Sequence, residues 1–423
     1  MTQQEQRLLD LASARDLPPE QAAFFHMGPS KRIADGVVFL SSFANVAAFT
    51  GESGVLLVDT GQERFTPRVL QDLRANYSQA PVEAVVYTHG HIDHVTGAEG
   101  IIAEARQRGD RRPHFVGHEL VRPRFDRYKL TSHHNDHINR IQFNLPPDVQ
   151  PFTTAPWTYP DIEHKDGMEM VVGGMRFEFH HARGETDDET WVWQPDTRVL
   201  CTGDTFVWCS PNAGNPYKVQ RYAKDWADAL EKMAALKPEH LLPGHGPAMS
   251  GQGQVEEALL STAHLLRSVH DQVVDGMNSG KWLEDIIRDM DWPSTDKPWL
   301  QPIYDHPEFI ARNVYRFYGG WWNGDPADML PAHSEEVAAA LIGAVGAAPV
   351  LERARAARAA GDLKLACHLV DFVRKGDPQN KEGWELWRDV FNERAAQERS
   401  LMARGAFRYA VRMAEAKLKA LGD

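Results

Sequence analysis

Cysteine is scarce in this chain. Its three cysteines, Cys201, Cys209 and Cys367, form no CxxC pair, which excludes a disulfide framework and a cysteine-built zinc site. Long hydrophobic runs are lacking too. The longest, VAAALIGAVGAAPVL at 337–351, falls short of the roughly 20 residues that a membrane span needs and contains a proline, so a buried helix and no membrane span are expected. Positive charge is in deficit. With 46 Lys and Arg against 59 Asp and Glu, the net charge is −13, which argues against nucleic acid as a partner yet leaves room for a local basic pocket. The start, MTQQEQRLLDLASARDLPPEQAAFF, shows no basic segment leading into an unbroken apolar one, so no secretory signal is read and a cytoplasmic location is expected.

What is present suffices for a large core. A length of 423 residues, 42% hydrophobic and 25% charged, predicts two or three domains. After an N-terminal extension, 1–29, strand-like and helix-like patterns alternate: GVVFLSSF, GVLLVDTG and VEAVVYTH read as strands, and TPRVLQDLRANY as a helix. This defines a layered α/β domain over 30–252. Within it, VRPRFDRYKLTSHHNDHINRIQF at 121–143 is basic, histidine-rich and suited to an insertion or flap. From 253 to 423 the pattern is helical, rich in Ala, Arg, Glu and Leu, with Gly and Pro at the turns. Antiparallel helical hairpins loosely like tetratricopeptide units are expected there, serving partner binding or oligomerisation.

The chemistry concentrates at strand ends. VVYTHGHIDHVTG, residues 85–97, places His89, His91, Asp93 and His94 within six positions after a buried strand. His89 and His91 suit one metal ion, and Asp93 and His94 a second about 3.5 to 4 Å away, the spacing of two-metal hydrolytic sites. Further ligands stand in similar settings. RVLCTGDTF puts Asp204 where it could bridge both ions, HLLPGHGP supplies His245, and HHARGETDDETWVW offers His180, His181, Glu185, Asp187, Asp188 and Glu189, one of which should complete the first metal.

These motifs, THGHIDH, GETDDE, TGDTF and PGHGP in that order, resemble the metallo-β-lactamase superfamily over most of residues 30–250. The resemblance implies a metallo-β-lactamase αββα sandwich of the α/β class, followed here by an all-α helical domain. One departure is informative. Where most members carry His after the turn glycine, this chain has Glu185 after Gly184, which is similar to the alkyl sulfatase branch, whose first metal takes two histidines and a glutamate. That branch bridges its metals with a second carboxylate, glutamate in its members and Asp204 here. ARNVYRFYGGWWNGDPADMLP at 311–331 also resembles the YLGWFDGNPANL element that opens the alkyl sulfatase dimerisation domain.

The resemblance implies two divalent metal ions, zinc by preference, held by His89, His91, Asp93, His94, Glu185, Asp204 and His245, with Asp93 and Asp204 as catalytic residues. It implies a metal-activated water that cleaves a small anionic sulfate ester, and a homodimer formed through the helical domain. The segment SPNAGNPYKVQRY after Asp204 supplies Asn212, Asn215, Tyr217, Lys218, Arg221 and Tyr222 as donors suited to sulfate or phosphate oxygens, with Asn215, Tyr217 and Arg221 the candidate substrate-binding residues. His133, His134, Asn135 and His137 either line the pocket entrance or coat an exposed helix. A lactonase, thioesterase or phosphodiesterase of the same fold would use the same ligands, and a mono-iron oxygenase would not need Asp93 and His94.

Overall fold

The computed structural model describes Phe24 and residues 27–422, so most of the expected extension 1–29 lies outside the described residues. The chain forms two compact units: residues up to 136 together with 150–319, and residues 137–149 together with 320–423.

The first unit is built on two sheets. Strands β1 (Lys31–Ala34), β2 (Val37–Leu40), β3 (Val46–Thr50), β4 (Val55–Val58), β5 (Val82–Val86), β6 (His114–His118) and β7 (Ile162–His164) follow one another in spatial order. The first four form an antiparallel meander, and β4 to β7 run parallel. The second sheet has the order β13-β12-β11-β10-β9-β8. Its strands are β8 (Gly167–Val172), β9 (Met175–Ala182), β10 (Glu189–Gln194), β11 (Val199–Gly203), β12 (His240–Pro243) and β13 (Met249–Ser250). Only β11 and β12 pair in parallel there.

Side-chain alternation explains the layering. In β4, Leu56 and Val58 face the second sheet, where they pack with Phe177, Phe179, Val192 and Leu242. Val55 and Leu57 face the other way. They meet Val69 and Leu73 of α1 (Thr66–Asn76), in the layer that also takes Ile101 of α3 (Ala98–Arg108); the short helix α2 (Ile92–Val95) lies between these two in sequence. The outer face of the second sheet is covered by α6 (Ala223–Ala235), α7 (Gln252–Asn278) and α9 (Pro307–Tyr318), through Trp226, Leu230, Leu266, Val269 and Ile310. The layers are therefore helix, sheet, sheet, helix. Helices α7, α8 (Leu283–Asp289) and α9, which lie beyond residue 252, are part of this first unit.

The histidine-rich stretch 121–143 consists of two helices, α4 (Val121–Leu130) and α5 (Ser132–Gln142). His133, His134 and His137 are exposed and Asn135 is buried.

The second unit is helical. Helices α10 (Ser334–Val345), α11 (Ala347–Ala359), α12 (Leu363–Gly376), α13 (Lys381–Gln397) and α14 (Leu401–Gly422) pack around Leu351, Val370, Val373, Trp387 and Val390. The run 337–351 is not the buried helix expected from its composition. Gly346, at φ +82°, ends α10 and starts α11, and in α10 only Ala338 and Ile342 are buried. Val337, Leu341 and Val345 remain exposed. Among the described residues no single helix is long and apolar enough to cross a membrane.

Candidate metal centre

The seven expected ligands converge, although four separate strand ends deliver them. Strand β5 leads into the loop that carries His89 and His91, and α2 follows at once with Asp93 and His94. The parallel pair β11 and β12 ends with Asp204 and His245 side by side. Glu185 comes from the turn between β9 and β10. Two ligand groups result: His89, His91, Glu185 and Asp204, and Asp93, His94 and His245. Asp204 also stands 3.4 Å from His94 Nε2 and 3.5 Å from His245 Nε2, so its carboxylate reaches the second group as well. Asp93 Oδ2 lies 3.3 Å from His245 Nε2.

Glycines make the approach possible. A Cβ on Gly244 would stand 2.2 Å from Asp204 Oδ1, and one on Gly90 would stand 2.6 Å from Arg124 Cδ.

Outer hydrogen bonds fix the ring tautomers. Asp59 accepts from His94 Nδ1 at 2.7 Å, and the Phe43 carbonyl accepts from His245 Nδ1 at 2.6 Å. Thr88 donates its hydroxyl to Asp59 (2.8 Å) and receives His89 Nδ1 at 3.0 Å. In each ring Nδ1 carries its proton outward, which leaves Nε2 facing inward as the atom for a metal. A second lock joins the two ligand loops: Gly90 N–H donates to Asp188 at 3.0 Å, and the buried Arg124 of α4 pairs with Asp188 at 2.8 Å and with Asp187. Glu189 accepts from Thr186 N–H (3.1 Å) and from the Thr205 hydroxyl (2.6 Å), bracing the Glu185 turn from beneath.

The electrostatics favour a cation. Burial pushes the Glu185 carboxyl up to about 8 against the pull of Arg221, with Asp204 adding repulsion. Burial and neighbouring His94 lower His89 to about 4, so its ring is neutral. Burial opposes charge on His245 as well, but Asp204 and Asp93 outweigh it and raise the ring to about 10. His94 Nε2 and Asp204 Oδ1 are buried and face each other without meeting hydrogen-bond geometry, an unsatisfied pair of the kind a bound ion relieves. His89 Nε2 and His91 Nδ1 converge at 2.8 Å, and His91 lies 4.0 Å from Glu185. The imidazole and carboxylate donors therefore fit divalent metal ions.

The candidate substrate-binding residues are tied to the same place. Arg221, buried, holds Glu185 Oε1 at 2.6 Å and donates to the Glu185 carbonyl at 2.8 Å. Asn215 is buried and its side chain accepts from Tyr217 N–H at 2.9 Å; burial raises the half-buried Tyr217 phenol to about 12. Several contacts around these residues were not legible in sequence. Asn212 donates to Glu185. Phe24 stacks on His245 with ring centroids 4.8 Å apart and lies 4.9 Å from Tyr304, whose phenol is raised by burial and by the Glu185 and Asp93 charges. The Gly203-Asp204 and Gly184-Glu185 turns and the segment 210–222 flagged this neighbourhood, whereas Phe24 and Tyr304 come from distant segments.

Two sandwiched sheets with histidine and carboxylate ligands at their strand ends define a class. Residues 41–245 match the metallo-beta-lactamase superfamily model, so this part of the chain is a domain of that kind. Residues 283–417 match a second model, that of alkyl sulfatase dimerisation. A linear primary-alkylsulfatase of a Pseudomonas species is 28% identical over 80% of this chain and 67% of its own length. An (R)-specific secondary-alkylsulfatase, also from Pseudomonas, is 26% identical over 86% of this chain and 59% of its own. The alkyl/aryl-sulfatase BDS1 of Saccharomyces cerevisiae is 25% identical over 86% and 60%. Among solved structures, the stereoselective inverting sec-alkylsulfatase Pisa1 from Pseudomonas shares the fold with a TM-score of 0.83 and 24% identity, over 93% of this chain and 67% of that one. The chain thus spans about three fifths to two thirds of the length of these relatives.

Proposed function

We propose that the protein is a dinuclear metal-dependent hydrolase that cleaves a small anionic sulfate ester. The observation that carries this reading is the meeting of two ligand groups at the Asp204 carboxylate. The sulfate ester as substrate class is supported by the alkylsulfatase relatives. Held by His89, His91 and Glu185 on one side and by Asp93, His94 and His245 on the other, with Asp204 between, two zinc ions would supply Lewis acidity and a water activated near neutral pH.

The chain's own residues do the rest. Asp59, Thr88 and the Phe43 carbonyl hold the imidazoles in the ligating tautomer. Arg221 and Asn212 aim the Glu185 carboxylate into the centre. Asp93, partly exposed, and the buried Asp204 present carboxylate oxygens to the centre, and this reading gives them the catalytic carboxylate role. Asn215 and Tyr217 orient the ester oxygens, and Arg221, held on Glu185, adds positive charge beside them. Residues 30–252 form the catalytic domain in this reading, and 253–423 the part through which two copies pair.

The test is metal analysis of purified protein combined with a screen of alkyl sulfates, phosphodiesters, lactones and thioesters. About two metal equivalents and turnover confined to sulfates are expected. One equivalent at saturation, or turnover only of a carboxylic or phosphoric ester, overturns the reading.

A further inference from the structure

The two arginines built into the centre's framework are already committed. Arg221 holds Glu185, and Arg124 holds Asp187 and Asp188. Lys218 is different: among the described residues its ammonium meets no carboxylate and no hydrogen-bond acceptor, and it rests 5.3 Å from the centroid of the Phe152 ring.

Its placement is enforced from both sides. Asn212, six residues earlier in the chain, and Arg221, three residues later, both bind the Glu185 carboxylate, so the segment between them is fastened against the metal centre at each end. Within the segment, Asn215 accepts Tyr217 N–H on its side chain and Lys218 N–H on its carbonyl, closing a tight turn that fixes where the lysine leaves the backbone. A long flexible side chain on such a rigid stem delivers a positive charge to one place.

Building on the sulfatase reading above, we propose that Lys218 binds the anionic group of the substrate, taking the terminal oxygens of the sulfate while the centre engages the ester oxygen. An unpartnered, partly buried ammonium is costly unless an anion completes it. Burial, then Arg221, push this ammonium down to about 7, while Glu185 and Asp93 pull the other way. An incoming oxyanion would hold the charge on and gain a charge-assisted hydrogen bond in a partly desolvated setting. Lys218 thereby sets the requirement for negative charge, a role separate from holding metal.

The experiment uses the metal-loaded full chain and its K218Q and K218R variants. Three quantities are read: metal content, inorganic sulfate binding by calorimetry, and KM against kcat on an alkyl sulfate. K218Q is expected to keep its full metal content, to weaken sulfate binding and raise KM by about tenfold or more, and to change kcat by less than about threefold. K218R is expected to recover most of the affinity. If K218Q binds sulfate within about twofold of wild type, or loses metal, the assignment is overturned. Should wild type cleave no sulfate ester, the proposed function falls, and the sulfate titration alone still decides the role of Lys218. K218M provides the same comparison if K218Q folds poorly.

Discussion

Glu185 meets three demands with one carboxylate: it faces His91, accepts from Asn212 and neutralises Arg221. Glu185→Ala is therefore expected to lose about one metal equivalent and nearly all activity. It also leaves a buried guanidinium unpaired, a change that costs about 3 to 5 kcal/mol. Glu189→Ala, four residues on, is expected to keep both metals while losing about 1 to 3 kcal/mol, because Thr186 N–H loses its acceptor. Elemental analysis and urea unfolding of the two variants separate these effects. If His181→Ala empties the first site while Glu185→Ala does not, the turn is misassigned. The convergence of these seven side chains was legible in sequence because ligand-type residues rarely cluster after apolar strands without a task. Their supporting shell was not. Arg124 looks like one basic residue among many in 121–143, and its pairing with Asp188 depends on a fold that brings α4 to the Glu185 turn.

At the scale of elements, three strand ends meet in a second group of histidines. His118 of β6 stacks on His181 of β9 at 3.7 Å, and His164 of β7 lies 5.5 Å from His118. Burial, then the neighbouring His118 and His181, lower His164 to about 4. The unfolded ring takes its proton near 6.5, so the folded chain binds fewer protons between the two values. Stability is then full above about pH 6.5 and is lost as pH falls toward 4, by on the order of 3 kcal/mol. Denaturant unfolding of metal-free protein is expected to show a steeper slope over this range in wild type than in His164→Gln; equal slopes would refute it. The alternation in the strands was readable because one face of each meets helices and the other meets a sheet. The run 337–351 misled for the opposite reason: apolar composition does not say which residues find a neighbour, and a glycine at positive φ divides the run into two helices with different packing.

For the whole molecule, the apolar surface left by a single chain is the telling quantity. Within the second unit Trp321 is 77% exposed and Leu330 92%, with Val337, Leu341 and Val345 also open. Such a density of exposed aromatics and aliphatics marks an interaction surface. The matched dimerisation region, 283–417, contains all of these residues. Light scattering at low micromolar concentration is expected to give the mass of two 47.6 kDa chains. A Trp321→Glu and Leu330→Glu double variant is expected to shift that mass toward one chain. A single-chain mass for wild type would remove pairing from the proposal.

One join in the fold bears on how such a site can be rebuilt. The segment after Asp204 is stitched to residues far along the chain: Ser210 N–H donates to the Gln301 carbonyl at 2.9 Å, Gly214 N–H donates to Asp305 at 2.8 Å, and a Cβ on Gly214 would stand 2.0 Å from the Phe309 backbone. The stretch bearing Asn212, Asn215 and Lys218 is thus not an interchangeable cassette. Transplanting 210–222 alone onto a related scaffold would strand its backbone donors, whereas moving it together with 301–313 would carry the whole mould.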